Sequence, residues 1–209
     1  MSAEAVNRFR DSMVMNYDRW HDGEGFDLAA LREMSPEELA TIRTILRSSD
    51  RTWRELEALA VIDELRGTDD VRDSLDAPPA DGNRIKAADL LFEQKKLSKT
   101  EYEEIICRAI RALTTHDSAT TRILLCAQGL PTEAVKQALL WASWNRTDAA
   151  FHCAARLIYL CGKSESPISF EHRPLLFDLQ PNNSSFTRQA AFEKLCSLIG
   201  MELDTDQPY

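Results

Sequence analysis

The chain is predicted to be all-α: short helices stacked in pairs as an α-solenoid, with a compact orthogonal helical bundle as the alternative. Three observations predict this. Only 7 Gly and 8 Pro occur in 209 residues, against 28 % charged and 44 % hydrophobic residues, a balance that favours helices over a turn-rich sheet protein. Apolar residues recur three or four positions apart in segment after segment, which places them on one face of a helix. The stretch from His116 to Gly162 reads as three consecutive helices joined by only about two or three residues, so neighbours must turn back on one another. Each is about three turns long, too short to persist alone in water, and must bury its apolar stripe against the next.

Taken in order, residues 3–21 place Val6, Phe9, Met13, Tyr17 and Trp20 on the stripe of one amphipathic helix. It ends at HDGEGFD, where Gly23 and Gly25 break it and Asp27 can cap the next helix. This loop gathers Asp18, His21, Asp22, Glu24 and Asp27 beside Trp20 and Phe26. A solvated loop is its first reading and a partner contact through Asp18, Trp20, Asp22 and Glu24 the second. Metal or acid–base chemistry comes last, because the spacing matches neither a calcium loop nor a zinc helix motif.

A short helix, LAALREM, precedes Ser35-Pro36-Glu37-Glu38, where Ser35 caps, Pro36 fits the first helical position and Glu38 completes a capping box. Leu39, Ile42, Ile45 and Leu46 form the buried face of that helix. Asp50 opens the next, with Trp53, Leu56, Leu59 or Ala60, and Leu65 as its stripe and Gly67 as its stop. Thr68-Asp69-Asp70 then caps a brief helix that cannot pass Pro78-Pro79.

From Glu57 to Asp81 the chain holds eight acids (Glu57, Asp63, Glu64, Asp69, Asp70, Asp73, Asp76, Asp81) and two bases (Arg66, Arg72), a local −6 out of the total −9. Charge runs are usually solvated faces, the first reading here. The sharper one is an electronegative docking surface for a cationic partner, with Asp63, Glu64, Asp69, Asp70, Asp73 and Asp76 as its contacts. Such a surface requires these side chains on one continuous face.

Residues 83–94 return to helix with Ile85, Ala88, Leu91 and Phe92 inward, and Ser98 with Glu101 forms another capping box. Tyr102, Ile105, Ile106, Ala109, Ile110 and Leu113 give a broad apolar face. The three central helices follow, lined by Ile123, Leu124 and Ala127, by Val135, Leu139 and Ala142, and by Ala150, Ala154, Leu157, Ile158 and Cys161. Gly129 and Gly162 stand where helices stop. Trp141 and Trp144 share a flank; core packing is the first reading, and an exposed aromatic anchor at Trp144 the second. His152 beside Cys153 lacks a second ligand pair for a metal. Residues 163–185 read as a loop with one short helix or turn around FEHRPLLFDL, His172 being a surface or capping histidine. Ser184 or Ser185 caps a last helix with Phe186, Ala190 or Ala191, Leu195, Leu198 and Ile199 inward and Gly200 closing it. The expected organisation is one helical domain over residues 1–200 and a flexible polar tail over 201–209.

A charge of −9 disfavours nucleic-acid binding and favours a basic protein partner. Five cysteines without CxxC spacing, mostly among apolar helical residues, read as reduced core thiols of a cytoplasmic protein. The N-terminus carries no signal-peptide pattern, and no segment offers the roughly 18 apolar residues that span a membrane. No catalytic, cofactor or metal signature stands out.

Helix starts between residues 117 and 147 recur about every 15 residues, so a pair repeats near 30, close to the period of HEAT and TPR arrays, and the predicted solenoid is one of degenerate HEAT-like pairs. NYDRWHDGEGFDLAAL, WRELEALAVID, AAFHCAARLIYLCGK and EHRPLLFDL followed by RQAAFEKLCSLIG resemble segments of small bacterial HEAT-repeat-like proteins encoded beside polymorphic or type VI secreted toxins, which serve as immunity proteins. The resemblance spans most of the chain, departs from a clean repeat over residues 66–100, and carries over no fixed contact residues. It implies a cytosolic antitoxin that binds a cognate toxin and blocks its active site; the acidic charge of the chain adds that this toxin presents a basic cleft, as one attacking nucleic acid would, which the acidic surface covers. Two other classes compete with it: a helical-repeat adaptor for a protein or peptide, and an enzyme using His21, Asp22 and Glu24.

Overall fold

Helices and their connections account for the computed structural model, which describes residues 2–49, 51–114, 118–145, 148–167 and 169–202; among these there are twelve α-helices, one 3-10 turn and no strand. The all-α prediction is met. The described residues of 1–77 and 86–97 form one compact unit, and those of 78–85 and 98–209 another.

The first unit begins with α1 (Ser2–Met13) and α2 (Tyr17–His21). These correct the expected single helix over 3–21. Asn16 adopts an extended conformation and its side chain accepts a hydrogen bond from the Arg19 amide at 2.9 Å, starting a new helix. The Arg19 guanidinium reaches back to the carbonyls of Asp11 (2.9 Å) and Val14 (3.2 Å), which satisfies the end of α1 without another turn. Phe9 is therefore fully buried, while Tyr17 and Trp20 leave the stripe and are exposed.

Next come α3 (Leu28–Arg32), α4 (Pro36–Ser48) and α5 (Trp53–Arg66). Asp27 caps α3, and the Ser35–Glu38 capping box opens α4 as expected. Asp50, the expected opener of α5, lies outside the described residues; Thr52 is the cap, and Glu55 returns to its amide at 2.9 Å. α3 packs on α1 and α5, and α4 packs on α5. α5 is the centre of the unit. Leu56, Ala58, Leu59, Ala60, Val61 and Ile62 are all buried, so apolar residues occupy most of its circumference rather than the single stripe expected, and Leu65 is exposed. A 3-10 turn, Arg72–Asp76, follows. Thr68, Asp69 and Asp70 do not cap it: the residue before it is Val71, which makes no side-chain cap, and their polar groups bond elsewhere.

The helix α6 (Gly82–Glu93) begins in the second unit, and its residues from Lys86 onward belong to the first. Asp81 starts it by accepting from the amides of Asn83 (2.8 Å) and Arg84 (3.2 Å). Its C-terminus closes on Lys95, at φ +59° the one non-glycine left-handed residue among those described, where α5 ends on Gly67 at φ +66°. A Cβ in that conformation is strained, by roughly 1 kcal/mol. Gly67→Ala is accordingly expected to lower stability by about 1 kcal/mol and Lys95→Gly to raise it by about 0.5 kcal/mol, read from urea midpoints.

The second unit continues with α7 (Lys99–Ala112), α8 (Ser118–Gly129), α9 (Glu133–Asn145), α10 (Ala150–Leu160), α11 (Arg173–Asp178) and α12 (Ser185–Ile199). His116 and Asp117, where the central stretch starts, lie outside the described residues, as do 203–209 of the expected tail. Ser98 and Glu101 form the expected capping box on α7. α9 packs along α7 and α10, and α8 rests on α7 and α10 rather than along α9, its neighbour in the chain. α8 ends at Gly129, and Pro131 disfavours helical geometry at the buried Leu130 that follows. The packing is that of one hairpin, α7–α8, laid on another, α9–α10, a contact set shared by stacked HEAT-like pairs and four-helix bundles. Ala138, Ala142, Ala150 and Ala154 are all fully buried, which lets the helices approach closely. α11 and α12 pack on α10 and on each other. Ser184 caps α12 and Gly200 closes it at φ +69°. Phe186, expected inward, is 83 % exposed on the first turn, and Phe192 is the buried aromatic instead.

Candidate partner-binding surface

The short helix α2 buries none of its residues and is held by polar bonds at both ends. Asn16 and Arg19 fix its start. At its end Gly23, at φ +67°, donates to the Trp20 carbonyl (3.3 Å) and Glu24 donates to the Arg19 carbonyl (2.9 Å), the paired bonds of a Schellman motif. The following chain is tied down by Arg54 Nε on the Glu24 carbonyl (2.7 Å) and by the buried Phe26 ring edge-on to Phe9 at 5.8 Å. On this frame Tyr17 lies 6.4 Å from Trp20 and 5.8 Å from His21 between ring centroids. Val14, Tyr17 and Trp20 are 68, 73 and 63 % exposed, so the aromatic ladder faces solvent. Asp18, Asp22 and Glu24 are exposed beside it. His21 Nδ1 is 3.2 Å from Asp22, both well solvated, and Glu24 lies 3.5 Å from Arg19. The sequence put both Tyr17 and Trp20 on one apolar stripe and offered only Trp20 as a partner contact. Asn16, three residues before Arg19, is the signal for the break.

The acidic run does not share one face. Asp63 is buried, accepting the Thr68 hydroxyl at 2.5 Å and the Val71 amide at 3.0 Å, and so ties the end of α5 to the chain after it. Asp70 is also buried and pairs with Arg43 and with Arg47 (3.2 Å). The hydrogen bond from Arg43 holds the Asp70 carboxyl below the usual carboxylate range against the opposing effect of burial. After the turn at Gly67 the chain comes back so that Asp70 and Val71 are buried while Asp69 stays exposed, and the Val71 amide and Thr68 hydroxyl bond Asp63, so a run continuous in sequence alternates between inside and outside. Most of the other acids have basic partners too: Glu57 with Lys86 (2.5 Å), Glu64 with Arg32 (3.0 Å), Asp69 with Arg72 (2.7 Å) and Asp73 with Arg51 (3.9 Å). Asp76 is exposed. An open groove of about 790 Å³ runs past this region, but Arg72 and Lys96 line it together with Glu64, Asp69 and Glu93, so its charge is mixed.

Trp144 is half-buried against α12, 5.0 Å from Phe192 between ring centroids, with the Arg188 guanidinium 5.4 Å from its ring and donating to its carbonyl at 3.0 Å. Its place is helix packing, the first of the two expected readings. All five cysteines are free. Burial pushes Cys107 up to about 11 and Cys153 up to about 12, and raises Cys161 and Cys196, which keeps these thiols protonated and poorly nucleophilic. Among the described residues no three His, Cys, Asp or Glu side chains gather to hold a metal, and no helix is long and apolar enough to cross a membrane. Comparison of the chain with family models, with curated proteins and with solved structures finds no match in any of the three.

Proposed function

We propose that this chain is a non-catalytic binding protein that captures a basic protein partner on α2, and that it serves as an immunity protein neutralising a secreted toxin. The observation that carries the binding reading is the solvent-facing Tyr17, Trp20 and His21 ladder, presented by a helix that buries nothing of its own and edged by Asp18, Asp22 and Glu24. Aromatic side chains dominate binding energy at protein interfaces, and a platform already fixed by caps loses little conformational freedom when it docks. Carboxylates around the rings, on a chain of net charge −9, speed encounter with a cation-rich surface. The toxin assignment rests on the resemblance of the helical segments to immunity proteins. Asp63 and Asp70 drop out of the proposed contact set, and Trp144 is replaced by Tyr17.

The test couples binding to rescue. The product of the neighbouring gene is expressed alone and together with this chain, and growth is measured. Wild type is expected to restore growth. Trp20→Ala is expected to weaken the complex by about 30-fold or more. Asp18→Lys with Asp22→Lys is expected to slow association by about tenfold at low salt and to flatten its salt dependence. Full rescue by a protein lacking both Tyr17 and Trp20 rings would overturn the α2 assignment, and a harmless neighbour would turn the reading towards a helical adaptor.

A further inference from the structure

In the second unit, α8 and α10 and the chain at Pro167 enclose a pocket of about 280 Å³. Its walls include Leu124, Phe151, Ala155 and Pro167, and the side chains of Arg156 and His152 also line it. The Phe151 ring is braced by Phe177 at 5.4 Å between centroids, so that wall is fixed. Arg156 is half-buried. Its guanidinium donates to the Gln128 side-chain oxygen, and Gln128 in turn lies 3.5 Å from the Tyr159 hydroxyl. Arg156 Nε is buried and makes no hydrogen bond among the described residues.

Arg43 is matched by Asp70 and Arg51 by Asp73, whereas the hydrogen bond of Arg156 goes to a neutral group, as do those of the half-buried Arg188, and unlike Arg188 it leaves its buried Nε without a partner among the described residues. Withdrawing a guanidinium from water without a counter-ion is unfavourable, and burial accordingly lowers its affinity for its proton. An anion entering the pocket would remove that cost. We infer that this pocket is a binding site for a small organic carboxylate, whose head pairs with Arg156 and whose apolar body lies against Leu124, Phe151 and Ala155.

Two features select that class. A single planar fork matches the two oxygens of a carboxylate, and a phosphate dianion beside largely apolar walls would keep much of its charge unmatched. The volume is at the small end of ligand sites, which run from about 300 to 1,000 Å³, so a single ring fits and a nucleotide does not.

The experiment is titration of the full chain with benzoate, followed by amide chemical shifts and calorimetry, with benzamide and inorganic phosphate as the other arms. Benzoate is expected to saturate at a Kd on the order of 1 mM, the range that so few atoms support. Benzamide, of the same shape without the charge, is expected to bind at least about tenfold more weakly, as is benzoate to Arg156→Lys, which keeps a cation but loses the fork. Phosphate is expected to bind more weakly than benzoate. Equal binding of benzamide and benzoate, unchanged binding by Arg156→Lys, tighter binding of phosphate, or no saturable binding each overturns the inference. The benzoate–benzamide comparison needs no variant, so it decides even if Arg156→Lys folds poorly.

Discussion

Phe9→Ala is expected to lower the stability of the first unit by about 3–5 kcal/mol, the cost typical of deleting a buried aromatic ring and leaving its cavity. Phe9 has no exposed surface and meets Phe26 edge-on, so the loss includes both transfer of the ring and an aromatic contact. Collapse is restricted on both sides. α1 is held to α3 through Arg8, which pairs with Asp27 (3.2 Å) and Glu33 (3.0 Å), and α3 in turn packs on the central α5. Urea denaturation followed by helical circular dichroism measures the effect, and a change under about 1 kcal/mol would mean that α1 is not part of the core. Because Phe26 sits just after the Gly23 turn, the variant should also loosen the platform carrying Trp20.

The second large effect is expected at the buried ion pair. Arg43→Met should cost about 2–3 kcal/mol and Arg47→Met less than about 1 kcal/mol, although both arginines reach the same carboxylate. Arg43 bonds Asp70 through two nitrogens, whereas Arg47 makes one contact at 3.2 Å and is nearly half exposed, and Asp70 itself is 3 % exposed. Removing the fork leaves a carboxylate with little access to water; removing the outer contact does not. The same geometry sets a pH dependence. Since Asp70 titrates lower in the folded chain than unfolded, its contribution is fully present above about pH 4 and is lost as pH falls through the folded value. Asp70→Asn should therefore be less stable at neutral pH and lose less of its stability on acidification. Parallel acid transitions of wild type and variant would contradict this.

What the sequence made legible was local chemistry. The Ser35–Glu38 and Ser98–Glu101 boxes and the stops at Gly67, Gly162 and Gly200 depend on residues three or four apart, and all are found in the structure. The break between α1 and α2 was hidden because the three-and-four spacing runs straight through it. What decides it is a long arginine side chain turning back on two carbonyls. The acidic run misled for a different reason: the bases that neutralise it, Arg32, Arg43, Arg51 and Lys86, come from outside the run itself. Only a tertiary fold pairs them. The Arg156 pocket was equally out of reach, since its walls come from two helices and a loop, and no spacing in the chain announces them.

The way α2 is fastened has a consequence for its motion. A segment with no fully buried residue releases little apolar surface when it opens, so its opening is expected to respond weakly to denaturant and to occur while α5 stays intact. Whatever settles on its rings would be choosing the latched form of a clasp, and the strength of that clasp would set part of the affinity.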